Sequence, residues 1–229
     1  MRKKILVVAA TGHEISGFIK KWNSFIQIDQ FLYNLSSLHL NVDVLITSVG
    51  MVATAYRLSC VLQKNTYDFV INAGICGSYI PSLKPGTVVH VSEDCFAELG
   101  IEGKDVINPL FIKDNEEKIK VEAFVRNAYE IPLKTIQVLP RVKGATVNTV
   151  TTSENRKKSI IAQYGAATES MEGAAFLYVC NAFGLPYAQI RSVSNYAGCP
   201  EDKTWHFETA SQNLCHALQN TLDEIDNLF

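Results

Sequence analysis

The chain has 229 residues, of which 47% are hydrophobic and 19% charged, enough for a core held by ordinary burial and too little charge for a disordered chain. Twenty-one basic and twenty-three acidic side chains leave a formal net charge of -2, without the basic excess that a phosphate backbone demands, so no nucleic-acid partner is expected. The length fits one large domain, residues 1–229, because no repeat, low-complexity tract or Gly/Ser linker marks a boundary.

Arg2-Lys3-Lys4 leads into an apolar run over residues 5–10, the pattern of a strand covered on both faces. The run is too short to span a bilayer and no small-residue cleavage site follows it, so a cytoplasmic chain without a signal peptide or membrane partner is expected. Helical spacing follows over 14–22, a strand over 42–49, a helix over 52–63, and strands over 69–73 and 87–92. A helix is expected over 116–129, strands over 135–138 and 143–150, and a helix over 153–164 opened by Ser153 as a cap. The helix over 170–183 stops at Gly184-Leu185-Pro186, and a strand over 186–193 and a helix over 207–228 complete the chain. Strands alternating with helices imply a layered α/β domain. The six cysteines (60, 76, 95, 180, 199 and 215) are never closer than sixteen residues, which suggests reduced thiols rather than zinc or a disulfide framework.

Strand ends carry function in open α/β sheets, and four of them hold unusual residues: Ala9 to Glu14, Asn72 to Ser78, Glu169 to Ala175, and Arg191 to Asn195. Gly74 and Gly77 allow backbone amides to approach a ligand, but a tight turn explains them equally well, and neither a dinucleotide nor a P-loop spacing is present. Glu14 reads first as a carboxylate in an opening helical turn. Glu172 lies in a small, apolar helical stretch where a buried carboxylate is costly without partners, and Arg191 is a suitable partner for it. The five histidines show no metal-ligand spacing, and no serine sits in a nucleophile elbow. What remains suits acid–base or charge-stabilising chemistry on a polar small molecule.

The run Glu169–Ala175 continuing through Val179-Cys180-Asn181-Ala182-Phe183-Gly184-Leu185-Pro186 into Arg191-Ser192-Val193-Ser194-Asn195 resembles the nucleoside phosphorylase and nucleosidase superfamily. Asn72-Ala73-Gly74-Ile75-Cys76-Gly77 is similar to its glycine-rich base-site loop, and Ser48-Val49-Gly50-Met51-Val52-Ala53 to its ribose-side turn. The resemblance implies a three-layer domain with a central twisted mixed β-sheet flanked by helices. Within the superfamily, Ala9–Glu14 and Phe96–Glu102 look most like the futalosine hydrolases, which release hypoxanthine in menaquinone biosynthesis, with the methylthioadenosine/S-adenosylhomocysteine nucleosidases close by. It further implies that Glu14 activates water, that Glu172 binds the ribose hydroxyls and that Met171 packs on the sugar. Ser48, Ile75, Cys76, Gly77, Arg191 and Ser194 complete the expected substrate-binding set, with no metal, no cofactor and a homodimeric assembly. Hydrolysis is favoured over phosphorolysis because the first loop offers Thr11, Gly12, His13 and a carboxylate where a phosphorylase needs cationic ligands. A nucleosidase acting on methylthioadenosine and a non-catalytic nucleoside binder are the alternatives.

Asn195 departs from the nucleosidase pattern, which has Asp at that place. A carboxylate suits adenine, whereas a carboxamide donates to O6 of a 6-oxopurine while its oxygen accepts from protonated N7. Hypoxanthine or guanine is therefore the expected leaving base.

Overall fold

The apolar run near the start forms β1 (Lys3–Ala9) in the computed structural model, which describes residues 3–22, 25–36, 40–103, 107–108, 110–114, 117–198 and 205–228. A strand without a polar face must be covered twice, and β1 is. Ile5, Val7 and Ala9 belong to one core cluster, while Leu6 and Val8 belong to another on the opposite side.

The chain continues through α1 (Ser16–Ile19), β2 (Phe25–Gln27), β3 (Leu32–Ser36), β4 (Leu40–Ile46), α2 (Met51–Lys64), β5 (Phe69–Ser78) and β6 (Val88–Cys95). Next come β7 (Ile101–Glu102), β8 (Ile107–Asn108), β9 (Phe111–Asp114), β10 (Glu117–Lys120) and β11 (Phe124–Arg126). The last part holds α3 (Lys134–Gln137), β12 (Arg141–Thr146), α4 (Glu154–Tyr164), β13 (Thr168–Ser170), α5 (Gly173–Ala182), β14 (Tyr187–Tyr196) and α6 (Phe207–Asn227). Among the described residues a ten-stranded mixed sheet runs β11-β6-β12-β13-β5-β1-β4-β3-β2, with β14 paired to β5 and β6. Strands β4, β1, β5 and β14 are parallel neighbours, so their C-terminal ends lie along one rim.

Helix α6 covers one face through Leu214, Leu218, Leu222 and Ile225, the stripe of an amphipathic helix. Helices α2 and α5 cover the other through Leu58, Val61, Leu62, Phe176, Leu177 and Cys180. This is the three-layer α/β arrangement with a mixed central sheet that the sequence suggests. Ser153 caps α4 by accepting from the Arg156 amide, and Gly184, at φ +66°, follows the end of α5.

Two expectations fail. Residues 135–138 are not a strand: 135–137 lie in the one-turn helix α3 and Val138 follows its end, because Glu224 of α6 accepts from the amides of Lys134 and Thr135, both at 2.8 Å, and caps that turn. The expected helix over 116–129 is replaced by β10, which pairs with β9, and β11, which pairs with β6 through Phe124, Val125 and Arg126; residue 116 itself lies outside the described residues. Sheet pairing overrides local helical spacing there. The strand expected over 69–73 also runs on to Ser78, so Gly74 and Gly77 are strand residues rather than a turn. No helix among the described residues is long and apolar enough to cross a membrane.

Candidate active site

A cavity of about 240 Å³ opens at the rim where β1, β5 and β14 end and β13 passes into α5, the place where open α/β sheets bind ligands. Glu14, Ile75, Cys76, Gly77, Met171, Glu172, Ser194 and Asn195 all line it. The four sequence clusters therefore converge, and the remaining expected residues, Ser48 and Arg191, stand just behind the wall.

Glu14 lies in the turn that leads into α1, its amide donating to the Thr11 hydroxyl at 3.4 Å. Helix α1 begins two residues later with no side-chain cap and no acid in its first turn. The carboxylate instead turns inward: Oε2 accepts from the Thr11 amide at 2.8 Å and the Thr11 hydroxyl at 3.0 Å, and Oε1 accepts from the Ile75 amide at 3.1 Å. Burial raises the Glu14 pKa above its ordinary 4.5, against the lowering effect of the Ile75 amide and the Arg191 charge. A carboxylate held this way is a suitable proton acceptor.

Glu172 precedes α5 without capping it. Its Oε1 accepts from the Gly50 amide at 3.1 Å and its Oε2 from Arg191 Nη1 at 3.3 Å. Gly50, at φ +102°, follows Ser48, which holds a left-handed φ of 65° of its own; this tight turn after β4 aims the Gly50 amide at the site. Ser48 faces away, its hydroxyl accepting from Arg57 Nη1 at 2.6 Å, while Arg57 stacks on Phe31 and its neighbour Val49 reaches the cavity.

Arg191 is buried at 1% exposure and does not line the cavity, so its expected direct contact with substrate becomes support for Glu172. Its guanidinium crosses β5 at Gly74, where a Cβ would lie 2.3 Å from Nη1 and 3.2 Å from Glu14 Oε1. Gly74 is thus required for Arg191 to pass between the two glutamates. The Cys76 thiol, pushed up to about 12 by burial, stays neutral and is no nucleophile.

Asn195 follows a register shift in the β14–β5 pairing, where Val193 opposes Cys76 and Asn195 opposes Gly77, leaving Ser194 as the extra residue. Such a bulge re-aims the side chains beside it. The Ser194 hydroxyl lies 2.8 Å from Asn195 Oδ1 and 3.2 Å from the Cys76 carbonyl, which anchors the amide against the strand.

Thr11, Val49 and Glu169, which lie inside the runs singled out in the sequence but outside the expected substrate-binding set, also line the cavity, as do Val150, Trp205 and Phe207, which lie outside those runs. Glu169 is buried, accepting from the Thr151 amide at 3.0 Å and from the Tyr79 hydroxyl. A second acid three residues before Glu172 in a small, apolar segment was the available signal. Trp205 and Phe207 arrive from the start of α6, and His13 stacks on Phe207 with ring centroids 5.0 Å apart. Among the described residues three carboxylates line the cavity and no lysine, arginine or histidine does, and no cluster of His, Cys, Asp and Glu is placed to hold a metal.

Residues 4–228 match the phosphorylase superfamily. The chain belongs to this superfamily. Among its phosphorylase-superfamily relatives, a futalosine hydrolase of Thermus thermophilus is 27% identical over 184 residues, 78% of this chain and 80% of the relative. A 5′-methylthioadenosine/S-adenosylhomocysteine nucleosidase of a Shewanella species is 30% identical over 197 residues, 80% of each chain. Solved structures with the same fold include futalosine hydrolase of Helicobacter pylori, at a TM-score of 0.79 and 17% identity over 97% of this chain and 98% of the other. A Helicobacter pylori nucleosidase in complex with butyl-thio-DADMe-Immucillin-A matches at a TM-score of 0.80 and 18% identity, covering 98% and 99% of the two chains.

Proposed function

We propose that this protein is a nucleosidase that hydrolyses the N-ribosidic bond of futalosine, releasing hypoxanthine and dehypoxanthine futalosine, as a cytoplasmic step of menaquinone biosynthesis. The observation that carries the reading is the set of three cavity carboxylates with no cation among the described lining residues. A phosphate nucleophile would be repelled there, whereas the positive charge that grows on the sugar as the bond breaks is stabilised. Glu14 takes a proton from a water that attacks C1′, and Glu172, braced by the Gly50 amide and Arg191, accepts from the ribose hydroxyls. As the C1′–N9 bond breaks its electron pair leaves with the base and N7 takes a proton from solvent, and Asn195 holds that base, its NH2 donating to O6 and its oxygen accepting from the protonated N7. Trp205 and Phe207 offer stacking surface to an aromatic 5′ arm.

The base preference is the test. The wild type is expected to favour futalosine over methylthioadenosine, because the adenine amine would face the Asn195 NH2 and leave two donors opposed. That mismatch costs about 1–3 kcal/mol, roughly tenfold or more in selectivity. Asn195→Asp is expected to lose activity on the hypoxanthine substrate and shift relative kcat/KM toward adenine nucleosides. A wild type that prefers methylthioadenosine, or a variant with unchanged selectivity, favours the adenine nucleosidase instead.

A homodimer belongs to the same proposal. Val52 and Tyr56, one turn apart on α2, and Tyr178 on α5, which packs against α2, are 82%, 70% and 60% exposed, apolar surface suited to a partner subunit. Tyr56→Glu is expected to turn a dimer into a monomer in light scattering; an unchanged mass, or a wild type that is monomeric, removes this face as the interface.

A further inference from the structure

Behind the cavity wall lies a buried polar chain that the catalytic reading does not use. Asp94, near the end of β6, and Gln189 and Arg191, two apart on β14, are each 1% exposed. Arg191 is the one lysine or arginine classed as buried among the described residues, and it is thinly anchored. Its Nη1 reaches Glu172 at 3.3 Å and the Ile75 carbonyl at 3.4 Å, its Nε has no partner, and its Nη2 donates to Gln189 Oε1 at 3.4 Å. The Gln189 amide in turn donates from Nε2 to Asp94 Oδ2 at 2.9 Å. Asp94 Oδ1 accepts from the Cys95 amide and from the Thr146 hydroxyl, both at 2.8 Å, and that hydroxyl accepts from the Ala174 amide at 2.7 Å in the first turn of α5.

Acceptors and donors in this chain admit one polarity. An ionised carboxylate only accepts and a guanidinium only donates, so the amide between them must turn its NH2 to Asp94 and its carbonyl to Arg191. The reverse orientation sets acceptor against acceptor and donor against donor. The backbone is shaped around this carboxylate: a Cβ on Gly173 would lie 2.1 Å from Asp94 Oδ2, and one on Gly144 2.7 Å from the same atom.

We propose that Asp94 and Gln189 are positioning residues for the sugar site, Asp94 fixing the orientation of the Gln189 amide so that its carbonyl holds Arg191 against Glu172. One carboxylate thereby acts toward Glu172 along two routes: on the guanidinium through Gln189 and on the start of α5, which follows Glu172, through Thr146. The inference rests on Glu172 as the ribose-binding group, and its test separates the two.

Asp94→Asn changes almost no volume but presents an NH2 to Gln189, whose amide must then turn its own NH2 on Arg191. Burial already pushes the Asp94 carboxyl up to about 6, so the neutral side chain spares the desolvation that the charge costs. Asp94→Asn combined with Gln189→Glu restores the polarity with the charge moved one residue along: the new amide on β6 donates to the new carboxylate on β14, and that carboxylate accepts from Arg191. Two readouts are taken, the nitrogen NMR signals of the Arg191 guanidinium and steady-state kinetics on futalosine. The single variant is expected to shift the Arg191 signals and raise KM roughly tenfold, with a smaller change in kcat. The double variant returns both toward wild type.

A purely structural role would lower Tm and leave KM in place, which overturns the proposal. So does a single variant with wild-type Arg191 signals, or a double variant no nearer wild type than the single. If the single variant fails to fold, the double decides alone: folded with wild-type Arg191 signals it supports the relay, misfolded it ends it. A wild type that hydrolyses no nucleoside defeats the functional reading, while the NMR comparison still decides the relay.

Discussion

Glu14→Gln is expected to abolish nucleoside hydrolysis while leaving binding of a substrate analogue nearly intact. The amide keeps the shape, but its single oxygen accepts from only one of the Thr11 and Ile75 amides that hold Glu14 at 2.8 and 3.1 Å and sets its NH2 against the other. It cannot take a proton from water, and loss of a general base costs about 10²–10⁴ in rate. The pH profile gives a second reading of the same residue. The base works ionised and burial favours its neutral form, so kcat/KM should fall, as pH drops, through a pKa above that of an exposed glutamate. The stability consequence has the opposite sense. A carboxyl whose folded pKa is raised contributes stability while protonated, below its ordinary 4.5, and that contribution is lost as pH rises through the folded pKa. Glu14→Gln removes that titration, so its melting temperature should vary less than the wild type's as pH rises through the folded pKa, while it turns over no substrate. Near-normal turnover, or an acid limb no different from an exposed carboxylate's, removes Glu14 from the chemistry.

Glu172→Gln is expected to harm both binding and turnover. The carboxylate accepts from Gly50 and Arg191, and the proposed reaction adds the ribose diol and the growing sugar charge to its duties. A hydrogen bond to a charged group contributes about 1.5–3 kcal/mol, and more where water is excluded, so a loss of at least about tenfold in kcat/KM follows. The amide also leaves the buried Arg191 without its ionic partner, and breaking such a pair from one side is itself destabilising by about 3–5 kcal/mol. Comparing ribo and 2′-deoxy substrates isolates the sugar contact from that stability cost. The variant should lose more on the ribo substrate, since the deoxy sugar lacks the hydroxyl that the carboxylate binds. Equal losses on both would assign Glu172 to structure alone.

The residues that sequence reasoning found share one property: each belongs to a short contiguous run at the end of a strand. Glu172 could be read because a carboxylate in a small, apolar segment stands out locally, whereas Glu14, Ile75 and Asn195 were read through the superfamily resemblance of the runs that hold them. Trp205 and Phe207 could not, because the start of α6 meets the cavity only once that helix has packed across the sheet. The same holds for Gln189, an ordinary residue of its expected strand, and for Asp94, which lies beyond the strand expected over 87–92, until β6 and β14 lie side by side. Helix α3 illustrates the reverse error. Its four residues read as a strand because the group that caps them is Glu224, on a helix at the far end of the chain. Gly74 was legible as a constraint but not as to its cause, since the guanidinium that needs the space comes from β14.

In the proposed reaction water, not phosphate, attacks the sugar of a 6-oxopurine nucleoside in this carboxylate-lined cavity. Incubating the protein with futalosine in isotopically labelled water and excess phosphate, and weighing the sugar product by mass spectrometry, tests it most directly. The expected result is free hypoxanthine together with a sugar carrying one labelled oxygen from solvent and no phosphate ester, formed at the same rate when phosphate is left out. A sugar phosphate whose formation depends on added phosphate, or no release of base at all, contradicts it.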